Sequence, residues 1–270
     1  MNRNCIRVAA AQIEVRELKI EHNKNRILHF LGEAKQHKVD IVCFCEGALT
    51  GWIRRKGEDL KDKSDFPKLM ELKQEIDNAI EEIKNACKKN KVNAVVGLSY
   101  PISSYKAYNL AYVIDKNGKI VHKHSKNLLT EFEKEVYSGY CDYRVFEFEG
   151  FKCGIAICFE FEANHICCLM LQQMGAEIIF NPKHHRSLSG EWMPNACEIV
   201  FHKTRCRAMG HQVYVISVNR AVESELLDDF KRKPFEYQMS HSMIVGPNGI
   251  VENLSYPTKE DLIITDIQKW

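Results

Sequence analysis

The chain has 270 residues, 45% hydrophobic and 27% charged, enough for a large packed core and ordinary for a globular protein. A formal net charge of +2 supplies no strong pull toward nucleic acid or a membrane surface. No apolar run nears the roughly 20 residues that a membrane span needs.

Strand and helix signals alternate through the first half. Residues 6–15 form a β-rich apolar run, and the N-terminus around it shows no export signal. Residues 19–37 carry Ile20, Ile27, Leu28 and Leu31 at helical spacing, followed by the buried-strand run Ile41-Val42-Cys43-Phe44. A polar, loop-like stretch from 54 to 68 leads to an amphipathic helix over 69–90 and a strand over 92–100. Strands at 109–114 and 119–122 flank the hairpin turn Asp115-Lys116-Asn117-Gly118.

In the second half, strands at 143–148 and 152–158 pair around Glu149-Gly150. A helix over 164–174, a strand over 176–180, a long helix over 196–209 and a strand over 213–218 follow. A hairpin of 242–245 and 250–252 turns at Pro247-Asn248-Gly249, and 262–267 is the last strand. No linker or composition break divides the sequence. One domain over 1–270, with two sheets and outer helices, is the expected architecture. Eleven cysteines in a chain without an export signal point to reduced thiols, hence cytoplasm, rather than a disulfide framework. The basic clusters Arg54-Arg55-Lys56 and Lys231-Arg232-Lys233 lie beside acidic residues and read as solvated loops.

Three residues stand out chemically. Cys158 ends an apolar strand and precedes Phe159-Glu160-Phe161-Glu162; a thiol at a strand-to-helix turn is exposed at a sheet edge beside backbone N–H groups. The commoner fate of a free cysteine is a small buried hydrophobe. Glu46 follows the strand at 41–44, where partial desolvation raises a carboxylate's pKa toward proton transfer near neutrality. Its plainer reading is a cap or a surface ion pair. Lys126 follows a hairpin strand, and a buried ammonium there stabilises an oxyanion. Lys123 competes for that role, and most lysines are simply solvated. Glu133 lies seven residues on, able to orient the lysine.

In sequence order these segments resemble the nitrilase superfamily of carbon-nitrogen hydrolases. Phe44-Cys45-Glu46-Gly47-Ala48-Leu49-Thr50-Gly51-Trp52 is similar to its glutamate motif. Lys126-Asn127-Leu128-Leu129, with Glu133, Tyr137 and Gly139 behind it, is similar to its lysine motif. Gly154-Ile155-Ala156-Ile157-Cys158-Phe159-Glu160 resembles its cysteine motif. The strand ending in Asn181-Pro182, the Arg205–Ala208 helix with the strand after it, and the His241–Gly249 hairpin complete the order, so the resemblance spans residues 6–267.

That resemblance implies an α/β fold, a four-layer α-β-β-α sandwich of two mixed sheets with outer helices. It implies a homodimer or larger homo-oligomer, no metal, no organic cofactor, and a small amide or N-carbamoyl substrate. It favours Lys126 over Lys123. By role, Glu46 is the general base, Cys158 the nucleophile, Lys126 with the backbone N–H of Phe159 the oxyanion stabiliser, and Glu133 the anchor of Lys126. Trp52, His184 and Glu160 are candidate substrate contacts, with Trp192 a further possible pocket wall.

Two departures from the family pattern bear on substrate. Cys45 replaces the proline common before the glutamate, and Glu162 stands where an arginine is frequent. Two other classes compete. A metal or redox protein would use the Cys and His residues near Cys158, but none has C-x-x-C spacing, and adjacent Cys167 and Cys168 on a helix are expected to point apart. A non-catalytic binding module on the same scaffold would have no need of Glu46, Lys126 and Cys158 together. Within the enzyme class, nitrile hydrolysis is the runner-up.

Overall fold

The computed structural model describes residues 4–53, 65–103, 106–139, 143–163, 165–187, 196–222, 224, 238–256 and 258–269. The two basic clusters and Trp192 lie outside the described residues, as does most of the loop expected over 54–68.

The first sheet contains β1 (Cys5–Gln12), β2 (Ile41–Phe44), β3 (Asn93–Ser103), β4 (Lys106–Ile114), β5 (Ile120–Ser125) and β14 (Asp261–Gln268), ordered β14-β1-β2-β3-β4-β5. β1, β2 and β3 run parallel, joined through α1 (Ile20–Gln36) and α3 (Lys73–Asn90); β14, β4 and β5 are antiparallel additions. The helices form because their apolar residues recur on one face: Ile76, Ala79, Ile80, Ile83 and Cys87 are the buried side of α3.

The second sheet is ordered β13-β12-β10-β8-β7-β6, from β6 (Phe146–Phe148), β7 (Phe151–Ile155), β8 (Ile178–Pro182), β10 (Tyr214–Val218), β12 (Met243–Val245) and β13 (Val251–Leu254). Alternation along its strands builds two cores. Ile178, Phe180, Ile216, Val218 and Ile244 join the first sheet's Val8 and Ala10, with Ile41 and Cys43 paired beside them, in the core between the sheets. Their neighbours Ile179, Val215, Met243 and Val245 point the other way, against α5 (Phe159–Ala163), α6 (Ile166–Gln173) and α7 (Ala196–His211). Covering both faces explains the unbroken apolar runs. The expected layered sandwich of two mixed sheets is the fold found.

Several local expectations need correction. The strand expected to reach Cys158 has its ladder end at Ile155, and the 143–148 strand shortens to β6. A short helix, α2 (Asp65–Glu71), begins inside the stretch expected as loop. The helix α4 (Glu131–Val136) and the two-stranded pair β9 (Arg186–Ser187) with β11 (Gln238–Met239) were not expected. Cys167 and Cys168 do not diverge: both are buried, with sulfurs 3.8 Å apart in the core under α6.

Candidate active site

Glu46 is held at a tight turn just beyond β2. Gly47 and Gly51 take φ values of +64° and +78°, which L side chains resist, and Gly51 N–H donates to Gly47 O at 2.7 Å. Gly97 on β3 lets the turn lie against the sheet, since a Cβ there would come within 2.2 Å of Cys45 O. Cys45 itself is wholly buried, and its carbonyl accepts from Ala48 N–H, so the turn forms without a proline. The Glu46 carboxylate is 1% exposed; Oε1 accepts from Asn109 Nδ2 at 2.7 Å and Oε2 from the backbone N–H of His184 at 2.9 Å. Burial raises its pKa above the ordinary carboxylate value, the Glu133 charge adds to the rise, and Lys126 opposes it.

Lys126 follows β5, its N–H donating to Asn109 O at 2.9 Å. Its ammonium is equally buried and donates to Glu46 Oε1 at 2.8 Å and to Glu133 Oε1 at 2.6 Å. Burial alone would lower its pKa, but Glu46, Cys158 and Glu133 together raise it well above the usual value and keep the proton on. Lys123 is exposed, its Nζ 4.8 Å over the ring centroid of Tyr112. Glu133 has two tasks. It closes a capping box at the start of α4: Thr130 N–H donates to Glu133 Oε2 at 2.8 Å, and Glu133 N–H donates to Thr130 Oγ1 at 3.3 Å. Its other oxygen takes the Lys126 ammonium and the indole N–H of Trp52, at 3.2 Å.

Cys158 stands between β7 and α5 with φ +46°, a strained conformation for a residue with a Cβ. Its N–H donates to Pro182 O at 2.9 Å, and its carbonyl accepts from Phe161 and Glu162 N–H. Burial pushes the thiol well above its normal pKa, Glu46 adds to this, and Lys126 opposes it. Burial thus favours the neutral thiol of Cys158 and makes the Glu46 carboxylate more basic. Phe159, the expected oxyanion donor, is the first residue of α5 and follows the sulfur directly in sequence.

Glu160, a candidate substrate contact, is bonded within the protein. It has no exposed surface, and its carboxylate is fully engaged. Oε2 accepts from Ile157 N–H at 2.7 Å and pairs with His124 Nε2 at 2.9 Å; Oε1 accepts from Asn127 N–H at 2.6 Å and Tyr143 OH at 3.2 Å. It clips the segment carrying Lys126 to the turn carrying Cys158. Trp52 and His184 are at the site, their rings stacked 6.0 Å apart, with Trp52 bonded to Glu133 and the His184 backbone to Glu46.

The sequence reading gave no role to Asn109, His124 or Lys183, and named Tyr137 only as part of the lysine motif. Tyr137 OH accepts from Ile53 N–H and pairs with Ser99 Oγ, bracing the chain beyond Trp52. No local signal marks Asn109 or His124, because their partners are 63 and 36 residues away. The capping box Thr130-x-x-Glu133 was a legible signal for α4. Among the described residues no group of three or more His, Cys, Asp or Glu side chains is arranged to hold a metal.

Residues 7–269 match the family described as carbon-nitrogen hydrolase. A probable hydrolase, YhcX, of Bacillus subtilis (strain 168) is 22% identical over 273 residues, which cover 97% of this chain and 50% of the relative. The glutamine-dependent NAD(+) synthetase of Acinetobacter baylyi (strain ATCC 33305 / BD413 / ADP1) is 27% identical over 156 residues, 56% of this chain and 26% of the relative. The chain thus spans half the length, or less, of these curated relatives. Among solved structures, an amidase from Nesterenkonia sp. superposes with a TM-score of 0.77 at 16% identity, over 98% of this chain and 92% of that one. A double mutant of the Nesterenkonia sp. AN1 amidase in complex with acrylamide gives 0.78 at 15% identity, over 99% and 92%. Another mutant of that amidase, showing covalent addition of the acetamide moiety of fluoroacetamide at the active site cysteine, gives 0.77 at 16%, over 97% and 90%. At such identities the structural likeness is one of fold, whereas the sequence match covers nearly every residue. The chain belongs to the carbon-nitrogen hydrolase family.

Proposed function

We propose that the protein is a thiol amidohydrolase that cleaves a non-peptide carbon–nitrogen bond of a small amide or N-carbamoyl compound. The observation that carries this reading is the buried Lys126 ammonium, bonded to two carboxylates and acting on the thiol of Cys158. A neutral thiol is a poor nucleophile, and its high pKa here calls for a base. Glu46, with its own pKa raised, takes the thiol proton as sulfur attacks the carbonyl carbon. An ammonium has three N–H donors; two go to Glu46 and Glu133, and the third serves the new oxyanion with the N–H of Phe159. The C–N bond then breaks, the leaving amine or ammonia takes the proton from Glu46, and a thioester remains on Cys158. Water, deprotonated by Glu46, attacks the thioester; sulfur leaves and recovers a proton, and the acid is released.

The solved amidases with acetamide and acrylamide adducts or complexes favour an amide over a nitrile as substrate. Ammonia release from small primary amides tests the reading. Cys158→Ala is expected to abolish turnover by at least about 10³-fold, as loss of a covalent nucleophile does. Hydrolysis that survives in that variant removes the mechanism.

A further inference from the structure

Beside Cys158 lies a second set of buried polar groups that the chemistry above does not use. Lys183 directly follows Pro182, whose carbonyl accepts the Cys158 N–H, and its own N–H donates to Val218 O at 2.8 Å. The side chain is completely buried, yet among the described residues its ammonium has no hydrogen-bond partner. Glu162 lies one helical turn beyond Cys158, its N–H donating to Cys158 O at 3.1 Å, and its buried Oε1 is also without a partner. The two charges act on each other and on the Cys158 thiol, but no hydrogen bond joins them. The backbone under them is fixed, since His185 N–H donates to Asn219 Oδ1 at 2.8 Å, and His185 Nδ1 is a third buried atom lacking a partner.

Leaving a buried polar atom unpaired is costly, and a charge more so, and a ligand that completes such atoms removes that cost. We propose that Lys183 and Glu162 form a subsite that reads the two charges of a zwitterionic amide. Lys183 receives the substrate's carboxylate and Glu162 its ammonium, while the amide carbon reaches Cys158. The inference rests on the hydrolase reading and narrows it: it selects amides of amino acids over N-carbamoyl amino acids, which carry only the carboxylate. The sequence has already put Glu162 where the family frequently has an arginine, a reversal of charge at this position. Burial lowers the Lys183 pKa to about 8, against the raising effects of Glu162, Cys158 and Cys197; among the described residues His185 is a further titratable neighbour, itself facing Glu162, Lys183 and Lys203. A bound carboxylate restores the proton.

Calorimetry on full-length Cys158→Ala protein, which binds without turning over, tests this with L-glutamine, its des-amino analogue glutaramate, and butyramide. Glutamine is expected to bind at least about tenfold tighter than butyramide, with glutaramate between them, as charge-assisted hydrogen bonds require. Adding Lys183→Met should cut the affinity for glutamine and glutaramate far more than that for butyramide. Adding Glu162→Gln should erase the advantage of glutamine over glutaramate. Where either variant fails to fold, the Cys158→Ala protein alone decides: its glutamine affinity should fall as pH rises past about 8, with proton uptake on binding. Butyramide binding as tightly as glutamine, or glutaramate binding tighter than it, overturns the subsite. Ammonia release by the wild type separates the two claims. Hydrolysis of all three amides without preference leaves the reaction standing and removes the subsite. Charge-dependent binding without any ammonia release does the reverse.

Discussion

Replacing Lys126 by methionine probes the arrangement on which the site depends. The two carboxylate oxygens lie 2.8 and 2.6 Å from the same nitrogen, so they are at most about 5.4 Å apart, and both side chains are 1% exposed. Methionine fills the space but leaves two buried carboxylates facing each other. At an effective dielectric of about 20, unit charges about 5 Å apart repel by about 3 kcal/mol, which accounts for much of the 3–5 kcal/mol typical of a broken buried pair. The folded variant relieves this by keeping a proton that its unfolded chain has released. Carboxyl pKa values raised by folding make stability fall as pH rises above the ordinary carboxylate range, by up to about 1.4 kcal/mol per pH unit for each proton. Urea unfolding of wild type and Lys126→Met at about pH 5.5 and pH 8 should therefore show a deficit that widens at the higher pH. The double variant Lys126→Met with Glu133→Gln, which removes the facing charge, should recover part of the loss. A deficit below about 1 kcal/mol that is the same at both pH values would refute the reasoning.

The remaining predictions concern positioning. Glu160→Gln should cost about 2–3 kcal/mol near neutral pH by weakening bonds to a charged acceptor, read by urea unfolding. Burial alone would raise the Glu160 pKa, but His124 and the N–H groups of Asn127 and Ile157 hold it below the ordinary value. Its stabilisation is thus present above the ordinary carboxylate pKa and lost as pH falls, and the gap to the variant should close in acid. Gly97→Ala brings a Cβ within 2.2 Å of Cys45 O and 2.9 Å of Glu46 Cα, so it should cost about 1–3 kcal/mol and lower kcat more than it raises KM. Tyr137→Phe strips Ile53 N–H of its acceptor and should cost about 1–3 kcal/mol in thermal or urea melts.

Much of the scaffold was legible locally. Apolar runs such as 41–44 and 213–218, helical spacing in α1 and α3, and the turns at Asp115–Gly118 and Pro247–Gly249 each carry their own signal within a few residues. The candidate site was legible in part: motif order singled out Glu46, Lys126 and Glu133, which the fold joins by hydrogen bonds, and Cys158, whose thiol interacts with Lys126. The partners of Glu160 were not legible, because an acidic residue two places after a cysteine looks the same in sequence whatever it touches.

By itself, then, the sequence determined the family, the alternation of layers and the residue types able to exchange a proton and attack a carbonyl, since periodicity and turn chemistry act over short spans. Only the tertiary structure decided which groups share a proton or a charge. Glu46 and Lys126 meet across 80 residues, and Glu160 reaches Asn127 across 33. Those pairings depend on how two sheets stack, and burial then converts proximity into shifted pKa values. The buried ammonium of Lys183, without a hydrogen-bond partner among the described residues, belongs to the same class of fact: in the sequence it is one lysine among many, and only the fold shows its enclosure.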